Sequence, residues 1–334
     1  MPSDPLDIIF SPAQVARAGT MYIEQRAENK TEGIPFYLPS MDAKLLPLLP
    51  GELCTIIGRP GSGKSAVSMY WARQRAKYLQ NKQLIDRVVV FITYEQSTEE
   101  LYAFHVASET GIPVNVMARG QLDSEQIELV REYGVRRANV PLWFMGHSVE
   151  RRKKRPRIDL TNITDALWRV EDWEQQNKRD LNIDMIFVDY LQRIPFEGKP
   201  ESKVMGIDDN LNKLKDMALM FSCPIVCGVQ ARREVDDRDV PVPELADGQW
   251  TSAIEQVSDK VLSVTRPIKY KNEGELFGKK VIVQGRNQML LCLLKQKMGD
   301  APYTIWTNFD PQYNKMIEAE ERNINLTEEA WSDL

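Results

Sequence analysis

From residue 51 onward, short runs of β-branched and aromatic residues alternate with longer segments whose apolar positions recur at helical spacing. The short runs predict strands over 53–57, 88–92, 142–145, 185–188 and 225–229. Between them lie helical patterns at about 64–80, 98–109, 124–133, 162–176 and 206–221. The last carries Ile207, Leu211, Leu214, Met217 and Phe221, close to a 3.6-residue period. Strand-then-helix alternation implies right-handed crossovers and a mostly parallel sheet covered on both faces. Beyond residue 260 the helical pattern stops, and apolar runs at 261–265, 281–283, 290–294 and 304–306 predict a β-rich end. Ahead of the alternation, Ser11-Pro12 reads as an N-cap followed by a first-turn proline. The helix behind it runs to about Lys30 with a partly apolar face, and the chain breaks at 31–35. Such a helix packs on its own domain or docks on a neighbour. The expected division is a leading linker helix in 1–33, one α/β domain in 34–317 and an acidic, fraying tail in 318–334.

Composition narrows the class. The 334 residues are 43% hydrophobic, and 43 Lys and Arg against 48 Asp and Glu give a net charge of −5. That excludes a disordered or fibrous chain. Absence of a long apolar run or a basic-then-apolar leader predicts a cytoplasmic protein without a membrane span. Mild acidity argues against coating nucleic acid, yet allows a local basic channel, because steering depends on where charge sits. Cys54, Cys223, Cys227 and Cys292 fall in apolar runs and read as buried, reduced thiols. With only His105 and His147 in the chain, zinc ligands are too few.

The chemistry starts at Gly58-Arg59-Pro60-Gly61-Ser62-Gly63-Lys64-Ser65, which matches G-x-x-x-x-G-K-[ST] between a β run and a helical pattern. Its glycines let backbone N–H groups turn inward around phosphate oxygens. Lys64 is the expected partner of the β- and γ-phosphates of ATP, and Ser65 a ligand of Mg²⁺. A phosphate loop calls for a carboxylate at a second strand end, and Asp189 closes the apolar run 185–188 to supply it for the metal. The plain alternative for Asp189 is an acid opening a turn. Glu95 follows a third strand and is placed to orient and deprotonate water. Gln230 closes a fourth, where an amide can report the γ-phosphate. Each alone is weak, since polar residues commonly end strands. Four strand ends carrying phosphate chemistry is the informative fact.

These residues, in this order, resemble the RecA-like motor domain of DnaB-type hexameric replicative helicases over roughly residues 34–310. Tyr94-Glu95-Gln96-Ser97 corresponds to the segment of the family's catalytic glutamate, and Met117–Leu122 resembles a family arginine-glycine stretch. Asp189-Tyr190-Leu191-Gln192 is the most specific piece, because the family's metal-binding strand runs on into DYLQ. Ile254-Glu255-Gln256 and Asp259, followed by a strand to Arg266, also fit. Lys295-Gln296-Lys297 sits where the family has a basic triplet reaching the next subunit's ATP site, so the resemblance gives Lys295 and Lys297 a catalytic role in trans. The family's triplet ends in arginine. A lysine brings the charge without the bidentate fork. Gln249-Trp250-Thr251-Ser252 stands in place of the family's central-channel loop and lacks its arginine. The family's helical collar has no counterpart here, and the expectation is a short phage-like or mobile-element relative.

Arg151-Arg152-Lys153-Lys154-Arg155-Pro156-Arg157 places six positive charges in seven residues. Such a run is a solvated loop in most proteins. In a ring ATPase of acidic composition it becomes a candidate DNA contact, with a targeting signal or partner-docking loop as alternatives. Arg232 and Arg233 can serve phosphate or DNA. Gln249 belongs to the candidate channel segment, and Trp250 either stacks on a base or anchors an interface. The expected fold is α/β, a RecA-like P-loop NTPase core with a mostly parallel central sheet. The expected assembly is a head-to-tail homo-oligomer, a hexameric ring by resemblance, that translocates on single-stranded DNA and unwinds duplex. A loader or a primase-like protein is the partner class implied. The competing expectation is a RecA-like DNA-binding ATPase that does not unwind, acting as a loader, a recombination mediator or a mobile-element or defence component.

Overall fold

A computed structural model describes residues 11–27, 33–150, 158–176, 181–249, 252–278 and 281–318. Between Ile34 and Pro35 the chain divides into two compact units. In the first, helix α1 (Pro12–Ala27) opens on Ser11, whose hydroxyl accepts the Gln14 N–H at 3.3 Å while Gln14 Oε1 accepts the Ser11 N–H at 2.8 Å. This reciprocal pair satisfies two N-terminal donors. The apolar side chains Val15, Met21 and Ile23 of α1 are exposed.

The second unit is built on a nine-stranded sheet. Its strands are β1 (Leu53–Gly58), β2 (Arg87–Thr93), β3 (Leu142–Met145), β4 (Asn182–Asp189), β5 (Ile225–Gln230), β6 (Lys260–Thr265), β9 (Gln288–Gln296), β10 (Tyr303–Asp310) and β11 (Lys315–Glu318). They lie in the order β11-β10-β9-β6-β1-β5-β4-β2-β3. From β3 through β6 every pairing is parallel, and β9, β10 and β11 add antiparallel strands beyond β6. Every residue of β1 and β6 is buried, the pattern of parallel strands covered on both faces. The predicted 281–283 run does not join this sheet. It forms β8 (Val281–Ile282), which pairs with β7 (Leu276–Phe277) in a separate ribbon.

The covering helices are α3 (Lys64–Asn81), α4 (Thr98–Thr110), α6 (Ser124–Arg137), α7 (Leu160–Gln176) and α8 (Lys203–Met220). Their starts follow local chemistry. Ser97 with Glu100 and Asp123 with Gln126 form capping boxes for α4 and α6, and Ser202 caps α8. Short α2 (Pro39–Lys44), α5 (Val114–Ala118) and α9 (Ala253–Val257) were not expected, because five or six residues cannot display a 3.6-residue period. One buried ion pair fixes the layer that matters most. Arg75 of α3 donates from Nε and Nη2 to the Asp184 carboxylate of β4 at 2.6 and 2.8 Å, with both side chains almost fully buried. The helix that follows the phosphate loop is thereby locked to the strand that carries Asp189. Among the described residues no helix is long and apolar enough to cross a membrane.

Candidate active site

Parallel strands end on one edge of a sheet, and the crevice outside those carboxyl ends is where such folds bind ligands. The register sets the neighbours here. Gly58 of β1 pairs with Gln230 of β5, and Thr93 of β2 pairs with Asp189 of β4. Glu95 lies two residues past Thr93. The result is a cleft of about 350 Å³ whose walls include Lys64, Ser65, Glu95, Asp189 and Gln230. The four predicted strand ends therefore converge on one cavity.

Gly61 and Gly63 adopt φ of 72° and 108°, which lets the 58–65 loop curl without side-chain strain. A Cβ on Gly63 would collide with Met289 Cε. Gly63 is also the N-cap of α3 and offers no side chain to its first-turn N–H groups, which leaves them for a phosphate. Lys64 Nζ donates to the Gly58 carbonyl at 2.7 Å and the Arg59 carbonyl at 3.2 Å. Burial lowers the Lys64 ammonium to about 8, against the pull of the Asp189 charge. Asp189 is 2% exposed, and burial pushes its carboxyl above the usual range, opposed by a hydrogen bond from Ser65 and by the Lys64 charge. A buried carboxylate beside a hydroxyl, both hard oxygen donors, fits Mg²⁺ held jointly with substrate phosphates. No cluster of three or more His, Cys, Asp or Glu among the described residues could hold a metal by itself. The four cysteines are buried and free, their thiols pushed up by burial.

Glu95 is half exposed, with Arg193 Nη2 4.0 Å from its carboxylate. Pro60, Gly61 and Gly63 line the cleft, whereas the Arg59 guanidinium is held outside it by Asp236 at 2.8 Å and the Ala231 carbonyl at 2.9 Å. Three features add to the predicted site, of which the sequence reading included Arg266 only as the end of a strand. Lys269 donates to the Pro60 carbonyl, bracing the phosphate loop from a turn 209 residues away. Arg266, at the end of β6, lines the cleft with a buried Nε that has no partner. Phe309 and Pro311, from the β-rich end, join Met69, Leu101 and Phe104 as apolar lining, with Asn314 beside them. No motif joins these residues to the loop, because they arrive through pairings of β6, β9 and β10.

Other candidates lie elsewhere. In β9, antiparallel to β6, Gln296 pairs with Lys260, so Lys295 and Lys297 sit at the edge where the parallel strands begin, opposite the phosphate loop. Lys295 Nζ donates to the Glu255 and Ser258 carbonyls at 2.6 and 2.7 Å. Lys297 is 64% exposed, 3.5 Å from Asp259. Arg232 donates to the Ala246 carbonyl and faces Asp247 at 3.8 Å, while Arg233 is exposed. Gln249 donates its N–H to the Gln230 carbonyl at 2.8 Å, and its Oε1 is buried without a partner. The basic run 151–157 and Trp250 lie outside the described residues.

Residues 33–318 match the family described as DnaB-like helicase C terminal domain. A probable plasmid replicative DNA helicase of Chlamydia muridarum is 27% identical over 254 residues, which is 76% of this chain and 51% of that protein. A replicative DNA helicase DnaB of Mycoplasma genitalium is 27% identical over 68% of this chain and 45% of that protein. The chain thus spans about half the length of the curated relatives it matches. In fold it resembles a solved ATPase domain, with a TM-score of 0.76 at 17% identity, covering 93% of this chain and all of that one. A DnaB-like replicative helicase described with its primase interactions gives a TM-score of 0.73 at 18% identity, covering 93% of this chain and 68% of that one.

Proposed function

This chain belongs to the DnaB-like helicase C-terminal domain family, and on that premise we propose that it is an ATP-driven motor that translocates on single-stranded DNA and unwinds duplex as a head-to-tail ring in the cytoplasm. The observation that carries the reading is the convergence of Lys64, Ser65, Glu95, Asp189 and Gln230 on one cleft.

ATP enters with its phosphates against the loop and the N-terminus of α3. Lys64 leaves the Gly58 carbonyl for the phosphates and regains a fully charged state against their negative oxygens. Ser65 and Asp189 would hold Mg²⁺, which when bound supplies charge neutralisation at the phosphate oxygens. Glu95 orients the attacking water and accepts its proton. Gln230 contacts the γ-phosphate and changes partners when that phosphate leaves. Lys295 and Lys297 sit on the edge opposite their own loop, so a head-to-tail neighbour can bring its pair to this cleft. Lys297, exposed beside Asp259, is the freer of the two to reach across. The basic run 151–157 and the 249–252 segment contact DNA, and a loader or primase-like protein is the expected partner.

The test is strand displacement on a forked duplex, run beside ATP hydrolysis with and without single-stranded DNA. ATP-dependent displacement, abolished by Lys64→Ala, is the expected outcome. DNA-stimulated hydrolysis with no displacement at any protein concentration would replace the motor with a non-unwinding ATPase.

A further inference from the structure

A second cavity, of about 310 Å³, shares no lining residue with the nucleotide cleft. Its walls are helix faces. Arg73 and Lys77 come from α3, His105 and Glu109 from α4, and Tyr133 and Arg136 from α6. Each pair has i,i+4 or i,i+3 spacing, which presents both side chains to the same side.

The charges do not balance. Glu109 is the one carboxylate among the lining residues, and Lys77 holds it at 2.6 Å. Arg73 and Arg136 have no carboxylate partner among the described residues. Arg73 is 4% exposed, and its guanidinium bonds run to the Phe104 carbonyl at 3.4 Å and to the Asn314 carbonyl. Burial lowers it to about 10. Arg136 sits over the Tyr133 ring at 5.9 Å.

The third group is His105. It is 3% exposed, its Nδ1 lies 3.1 Å from the Tyr133 hydroxyl, and its Nε2 is buried with no hydrogen-bond partner. Burial, then the charges of Arg73, Arg137 and Lys77, holds the imidazole well below its usual range, so it is neutral. When Tyr133 donates to Nδ1, the single ring proton sits on Nε2 as an unmatched donor. That buried donor lines the same cavity as two guanidiniums with no carboxylate partner within ion-pair distance, a set of donors that suits an anion.

We propose that this cavity is a second anion site, taking a phosphoryl group carried by a small molecule, with Arg73, Arg136 and the His105 Nε2–H as its donors. Guanidiniums match phosphate oxygens with paired N–H bonds, and a neutral imidazole donates without needing to be charged. Arg73 also ties the site to its neighbour, since Phe104 and Asn314, whose carbonyls it holds, line the nucleotide cleft. The site stands whether or not the first cleft takes ATP.

The experiment is calorimetric titration of pyrophosphate into the full chain carrying Lys64→Ala, which removes the loop lysine. One equivalent should bind. Arg136→Ser, at an exposed position, should weaken that binding about tenfold, the order of one charge-assisted contact. Glu109→Gln removes the opposing carboxylate and should tighten it severalfold, an effect that misfolding cannot imitate. The His105 Nε2 resonance should shift on titration. No binding at millimolar pyrophosphate, or binding indifferent to both Arg136→Ser and Glu109→Gln, would overturn the proposal. Binding present in the unsubstituted chain and absent with Lys64→Ala would equally overturn it, by assigning all phosphate affinity to the first cleft. Failure of the ATPase reading shows separately, as an unsubstituted chain that does not bind ATP.

Discussion

The side-chain amide of Gln192 clasps the backbone of Gln230: its Oε1 accepts the Gln230 N–H at 3.0 Å, and its Nε2 donates to the Gln230 carbonyl at 3.4 Å. The same Nε2 donates to the Gln249 carbonyl at 3.3 Å. Gln192 follows the strand of Asp189, Gln230 lines the cleft, and Gln249 leads toward the candidate DNA segment. One amide therefore ties the end of β4, Gln230 and Gln249 together. Gln192→Ala should leave ATP affinity near its parent value and lower turnover about tenfold, the order of one or two lost hydrogen bonds. Its DNA stimulation should fall further than its basal rate. Equal loss in both rates would reduce Gln192 to a general structural brace.

Lys64 and Glu95 should fail differently. If Lys64 meets ground-state phosphate charge as proposed, Lys64→Ala should abolish ATP binding. If Glu95 acts on the attacking water as proposed, Glu95→Gln should bind ATP normally and hydrolyse it roughly 10²–10⁴-fold more slowly. Binding and single-turnover rates, measured together, separate the two. A Glu95→Gln chain that hydrolyses at the parent rate would remove Glu95 from the mechanism.

Nucleotide affinity should depend on pH through Lys64. In the empty cleft this group titrates at about 8, below the usual lysine value of about 10.4. Phosphate favours the charged form, so the bound state has the higher pKa and binding takes up a proton above pH 8. Affinity should be flat below that point and fall by up to tenfold per pH unit above it. A dissociation constant that stays level to pH 10 would mean that Lys64 is already charged in the empty cleft.

Hydrolysis per chain should rise with protein concentration if Lys297 acts on a neighbour's cleft. Lys297→Ala should spare ATP binding, and mixing it with the Glu95→Gln variant should restore part of the activity, because some interfaces then pair an intact Lys297 with an intact Glu95. Full activity in a monomer, verified by sedimentation, would contradict action in trans.

Single-strand affinity should fall steeply with salt if the 151–157 run meets DNA, with a log–log slope of roughly −0.7 per phosphate neutralised. Replacing Arg151, Arg152, Lys153 and Lys154 by Ser should flatten that slope and weaken all sequences alike. Trp250→Ala should lower affinity by about 1–3 kcal/mol with the slope nearly unchanged, since stacking releases no counterions. An unaltered slope in the four-Ser chain returns the run to a solvated or partner-docking loop.

The phosphate loop and the strand-end residues were legible in the chain because their chemistry is local. Gly58 to Ser65 needs a fixed glycine spacing between strand and helix, and Glu95, Asp189 and Gln230 each follow an apolar run that marks its own end. Parallel alternation then required those ends to share an edge. What tertiary structure alone decided was strand order and whatever strand order brings near. Gly58 lies beside Gln230 because β5 inserts next to β1, 172 positions later in the chain, and no periodicity encodes that choice. Lys269 reaches the loop from beyond β6, and Arg266, Phe309 and Asn314 join the cleft lining from β6 and the antiparallel end. Arg73, His105 and Arg136 read as unremarkable helix positions until three helix faces meet around a cavity that leaves the His105 Nε2 without a partner. Hydrophobic period and turn chemistry act over a few residues, so they specify elements and the ends of elements. The partners of a buried charge are set by packing between elements far apart in the chain, and that is where Gln192's clasp on Gln230 and the second cavity came from.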